Sequence, residues 1–89
     1  MATMFVRHTV ADYDAWRRIY DGFAPTQDAM GVTDRAVFRG AEDEHEITVM
    51  HDFATVEAAK AFAGSAELKA AMKDAGVTSA PTIWFANRT

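Results

Sequence analysis

EITVMHDF, residues 46–53, decides the fold. Ile47, Val49, His51 and Phe53 alternate with Thr48, Met50 and Asp52, the period of two that marks a β-strand with two unlike faces. The first set is apolar except for its histidine. Just before this run stands the densest charge cluster of the chain, Glu42-Asp43-Glu44-His45-Glu46, and before that another β-rich run at about 33–40. Two strands around a charged tip predict a hairpin with a solvated turn. Downstream, a helical segment starts near Thr55, shows a seam at Gly64-Ser65 where Ser65 can cap a new turn, and ends at Gly76. After Pro81 comes the last strand, TIWFAN (82–87).

The N-terminal half follows the same plan. MFVRHTV (4–10) separates Met4, Val6, His8 and Val10 from Phe5, Arg7 and Thr9, and Asp12 offers an N-cap oxygen to a helix that starts at about Tyr13. Tyr13, Trp16, Ile19, Tyr20 and Phe23 form one stripe about 120° wide, opposite Asp14, Arg17, Arg18 and Asp21. Pro25 breaks or restarts this helix and Gly31 ends the segment. The halves also match in residues: His8-Thr9-Val10-Ala11-Asp12 precedes the first helix and His51-Asp52-Phe53-Ala54-Thr55 the second, while Gly31-Val32-Thr33 and Gly76-Val77-Thr78 follow them. The order β-α-β-β-α-β predicts an α+β, ferredoxin-like domain over 1–89, a four-stranded antiparallel sheet with the helices on one face.

Composition limits the partners. The chain has 89 residues, 49% of them hydrophobic, with no cysteine and a formal net charge of −4. Its basic residues are scattered, so no stripe follows a nucleic-acid backbone. No apolar run reaches the roughly 18–20 residues of a membrane span, and no charged region followed by an apolar signal core opens the chain. The expectation is a soluble, cytoplasmic protein without nucleic-acid or membrane partners. A core this small is marginal, and apolar-rich chains without staples often gain stability by oligomerising.

The two sheet faces call for different partners. The side carrying Met4, Val6, Ile47 and Val49 belongs to the helices. The other mixes Phe5, Met50 and Trp84 with Arg7, Thr9, Thr48 and Asp52, too apolar for open water and too polar for a dry core. A sheet-on-sheet homodimer would explain it, with Phe5, Arg7, Met50, Asp52 and Trp84 in the interface. Arg7 and Asp52, on the neighbouring central strands, are expected to pair and neutralise charges that dimerisation buries.

HTVADYDAW (8–16), EITVMHDF (46–53), AKAFAGSAELKAAMKDAGV (59–77) and PTIWF (81–85) together resemble the small dimeric α+β barrel proteins, many of them antibiotic biosynthesis monooxygenase-like or cyclase-like. The resemblance spans nearly the whole chain and is specific for the fold. It implies a dimer whose sheets pack face to face and a small ligand between each sheet and its helices. The superfamily holds cofactor-free monooxygenases, cyclases, isomerases, haem degraders and stress-response proteins. The pocket Asn, Trp and Arg set of the monooxygenases does not align here residue by residue; Asn87 is the only asparagine.

Among the residues, His8 and His51 stand out as candidate catalytic bases. Each is the only polar residue on the helix-facing side of its strand, and a buried imidazole needs a partner or a task. An offset of two or three positions on neighbouring strands puts them roughly 8–11 Å apart, too far to share a metal and suitable for two sides of a pocket. Trp16, Tyr20, Phe23 and Phe62 would face them as a cradle for a small, planar aromatic or polyketide-like ligand. Large aromatics at helical spacing serve equally as core. No closed metal-ligand set exists, although His45 beside Glu44 and Glu46 could hold a cation loosely, and no cofactor is expected. P-loop, GxGxxG, GxSxG and HExxH strings are absent, and Ser65 and Ser79 read as cap or turn residues. Two functions remain open. One is cofactor-independent oxygenation, cyclisation or isomerisation, and the other a non-catalytic ligand-binding or stress-response module with structural histidines.

Overall fold

Each helical segment opens on a short polar side chain that satisfies orphan backbone donors. In the computed structural model, which describes residues 1–89, α1 (Tyr13–Gly22) begins at Asp12, whose carboxylate accepts from the Asp14 N–H at 3.1 Å. α2 (Ala24–Ala29) restarts the chain with Pro25 in its first turn, where a missing N–H costs nothing. The Thr55 hydroxyl caps α3 (Val56–Ala63) and Ser65 caps α4 (Ala66–Asp74), each accepting a backbone N–H at 3.2 Å. Gly31 and Gly76 close the two helical segments with φ of 100° and 75°, a region that favours glycine.

The strands are β1 (Ala2–Thr9), β2 (Asp34–Arg39), β3 (Glu46–Phe53) and β4 (Thr82–Asn87). They form one antiparallel sheet in the order β2-β3-β1-β4, so the expected ferredoxin-like order holds with each long helix split in two. Met4, Val6, Ile47, Val49 and Phe53 from the sheet pack against Trp16, Ala59, Phe62 and Leu68 from the helices. Fully burying a large apolar side chain contributes roughly 1.5–3 kcal/mol, and this layer is where the fold gains most. The hairpin tip, residues 41–45, is exposed as expected. No helix is long and apolar enough to cross a membrane.

The opposite sheet face carries no helices over its apolar residues. Ala36, Met50, Phe5 and Trp84 lie in one register row across all four strands, and Phe5 stacks on Trp84 with ring centres 5.2 Å apart. Trp84 remains 41% exposed and Phe38, on the same face, 54%. Sequence reading did not single out Phe38.

The expected pair of Arg7 with Asp52 does not form. Arg7 lies opposite Thr48 and pairs with Glu46 at 2.7 Å. Asp52 lies opposite Thr3, four rungs and roughly 13 Å along the ladder. The Thr3 hydroxyl donates to it at 2.5 Å and Arg88 at 2.9 Å, and it is only 2% exposed. Register thus separates two charges that strand adjacency alone brings together, and Asp52 is already neutralised within its own chain.

Candidate functional site

Helix-facing side chains of β1 and β3 meet α1, α2 and α4 around a small cavity. Its wall consists of Val6, His8, Val49 and His51 from the sheet, Trp16, Ile19, Tyr20, Phe23 and Gln27 from the first helical segment and connection, and Leu68, Ala71, Met72 and Ala75 from the second. It holds about 40 Å³ of free space and is partly open to solvent beside the exposed Ile19. A water needs roughly 10–15 Å³ on this measure, so the interior has room for a few waters and not for an aromatic ring.

Both candidate histidines line this cavity, together with Trp16, Tyr20 and Phe23. Phe62 does not. It lies fully buried behind His51, meeting that ring at 72° with centres 5.5 Å apart, and packs on Phe53 and Phe23. The expected offset between the histidines also changes. His51 is opposite Met4 and His8 opposite Ile47, four rungs apart, which separates their Cα atoms by roughly 14 Å. Two rings bridge that gap: His8 to Trp16, Trp16 to Tyr20 and Tyr20 to His51 have centroid distances of 6.0, 4.9 and 5.9 Å.

The imidazoles differ in their surroundings. His51, 1% exposed, has its Nε2 2.9 Å from the Tyr20 hydroxyl and 3.4 Å from the Gln27 amide nitrogen. Burial, with the Arg35 charge second, lowers its pKa to about 4. His8, 5% exposed, has no protein hydrogen-bond partner on either nitrogen, and burial lowers its pKa as well. Both rings are therefore neutral near pH 7. Burial also raises the Tyr20 pKa, against opposing pulls from Gln27 and Arg35, so its hydroxyl keeps its hydrogen.

Gln27 and Arg35 were not anticipated. Gln27 is 1% exposed on a six-residue helix, too short for an amphipathic stripe to reveal its buried face. Arg35 donates to the Gln27 side-chain oxygen and to Asp28 at 2.9 Å. Its register opposite His51 was the available signal, since the helix-facing row of β2 follows from the hairpin. No group of three His, Cys, Asp or Glu side chains is arranged to hold a metal, and His45 instead turns its Nδ1 to the Val10 carbonyl at 3.1 Å.

The fold is that of antibiotic biosynthesis monooxygenase-like proteins. A Bordetella bronchiseptica protein assigned to that group superposes with a TM-score of 0.83 at 16% identity, covering 99% of this chain and 96% of its own. A Caulobacter crescentus protein of the same assignment gives 0.78 at 19% identity, over 99% and 89%. A cofactor-independent oxygenase from Streptomyces nogalater gives 0.74 at 14% identity, over 99% and 94%. No family model and no curated protein sequence matches the chain. At these identities the likeness is one of fold.

Proposed function

We propose that the protein is a homodimer that performs cofactor-independent proton-transfer chemistry on a small planar aromatic or polyketide-like molecule, with His8 as the base. The observation that carries this reading is His8 itself. Neither nitrogen of this buried imidazole meets a protein partner, and a buried polar group left unpaired costs roughly 1–3 kcal/mol. Such a group gains a partner when a ligand arrives.

In the proposed reaction the neutral His8 accepts a proton from an acidic hydroxyl or activated carbon of the ligand. Trp16 and Tyr20 hold the plane of the conjugated anion left behind. That anion then reacts with oxygen, closes a ring or regains the proton at another carbon, according to the substrate. Entry of a ring requires this partly open cavity to widen, because its resting free space is about 40 Å³. Met72, on its wall, is the side chain best able to rearrange. The row Ala36, Met50, Phe5 and Trp84, with Phe38 beside it, supports a second copy packing on the open sheet face.

The test is a panel of phenols, quinols and polyketide-like aromatics assayed for turnover and binding with wild type and His8→Leu. A loss of roughly 10²–10⁴-fold in rate is expected for a displaced general base. Unchanged turnover in the variant would sink the assignment. Sedimentation of wild type against Phe5→Lys/Trp84→Lys checks the assembly, with a dimer expected for the first and a monomer for the second. The small cavity favours the alternative of a non-catalytic binding module. No turnover of any compound, with ligand binding that His8→Leu leaves nearly unchanged and a stability that it lowers, would establish it.

A further inference from the structure

Arg35 and His51 are cross-strand partners on the helix-facing side of β2 and β3, and Gln27 of α2 bonds to both. A guanidinium has donors only, so the Gln27 atom it touches is the carbonyl oxygen. The amide nitrogen then faces the other way, 3.4 Å from His51 Nε2. An amide NH₂ donates and does not accept. His51 Nε2 is therefore the bare nitrogen of the ring, and the ring hydrogen is on Nδ1, which is buried without a partner. The Tyr20 hydroxyl, 2.9 Å from the same Nε2, donates to it too. Every bond direction at this end follows from Arg35, which Asp28 holds at 2.9 Å.

We propose that Gln27 and Arg35 are positioning residues that lock His51 as the Nδ1–H tautomer with its Nε2 already occupied, leaving His8 as the one imidazole of the cavity free to take a proton. The role, though not the tautomer, rests on the reading of His8 as the base. A proton arriving at Nε2 would have to displace the hydrogens of Gln27 and Tyr20 aimed at it, and would add a positive charge beside Arg35. No charged group compensates. α1 presents Tyr20, α2 presents Gln27 with Asp28 engaged on Arg35, β2 presents Arg35, α3 presents only the Phe62 ring and β1 only Met4. The α4 wall of the cavity, Leu68, Ala71, Met72 and Ala75, is apolar. Burial and the Arg35 charge act in the same direction on His51, whereas burial alone acts on His8. The two imidazoles of one cavity thus have separate tasks, one anchoring Tyr20 and one exchanging protons.

Nitrogen-15 NMR of the imidazoles tests this directly on the whole chain. Wild type should show His51 protonated at Nδ1 and titrating near 4. Gln27→Glu keeps the acceptor for Arg35 and removes the amide donor to His51, and with Tyr20→Phe beside it no donor to Nε2 remains, so the tautomer of the double variant should switch to Nε2–H. Arg35→Met should raise the His51 midpoint while leaving it below the ordinary value of about 6.5, since burial persists. Arg35→Lys should restore most of the shift. An Nε2–H tautomer in wild type overturns the proposal, as does a His51 tautomer unmoved in the folded Gln27→Glu/Tyr20→Phe variant or a midpoint unmoved in a folded Arg35→Met. If His8→Leu binds and turns over ligand as wild type does while His51 keeps its Nδ1–H form, the base assignment fails and the lock survives. The two failures are therefore distinguishable.

Discussion

His8 and His51 occupy equivalent places in the two halves of the chain, each four residues before the N-cap of the following helix, Asp12 in one case and Thr55 in the other. Their environments differ because the halves supply different neighbours. α1 and α2 give His51 a hydroxyl and an amide, while α4 contributes only apolar side chains to the shared cavity and His8 finds no partner. A near-repeat in sequence thus yields one histidine that holds the structure and one that is left unsatisfied. Equivalent position does not confer equivalent chemistry; the facing helix does.

Four measurements bear on the unlike surroundings of the two histidines. Trp16, whose ring stands between the two ends, should affect both. Trp16→Ala removes a buried aromatic and should cost roughly 3–5 kcal/mol in denaturant unfolding, with NMR signals of both histidines displaced. A change confined to His8 would show that the ring ladder does not couple the ends.

Acid comes next. The His51 pKa is about 4 in the folded chain against about 6.5 unfolded, so the unfolded state takes up the proton first as pH falls. Stability is complete above about pH 6.5 and is lost progressively as pH falls through about 4, by ~3 kcal/mol at ~1.4 kcal/mol per unit. His8 adds to the loss in the same direction. Urea midpoints that stay level between pH 7 and 4 would contradict this.

Leucine at each histidine separates the pair by sign. His51→Leu strands the Tyr20 hydroxyl and the Gln27 amide and should destabilise by roughly 1–3 kcal/mol, whereas His8→Leu removes an unsatisfied ring and should leave stability unchanged or raised. Equal losses from both would mean that His8 has a partner after all. The smallest effect belongs to Tyr20→Phe, which deletes one hydrogen bond to His51 and should cost about 1 kcal/mol by thermal melting.

Much of the fold was legible because its signals are local. Alternation in 46–53 defines β3, Asp12, Thr55 and Ser65 announce helix starts, and Gly31 and Gly76 occupy the positive-φ positions that end the segments. The histidines and most of the aromatic cradle were legible for the same reason, as polar or large residues on a patterned face. Relations across strands were not. The Arg7–Asp52 pair and the spacing of His8 from His51 depend on how far one strand slides along another, and alternation is indifferent to any even slip. Gln27 was hidden differently: a six-residue helix after Pro25 is too short to display a period, so its buried side appears only when α2 is docked.

Ala71 and Ala75 stand on the α4 side of the cavity, where their methyl groups end the wall. Side-chain length at these two places sets the depth of the interior, so the dimensions of the chamber are set from the helix side while both histidines belong to the sheet. A larger residue there would fill the free space as a plug. A glycine would enlarge it, so the chamber can be resized one methyl group at a time while the side chains on its sheet wall stay as they are.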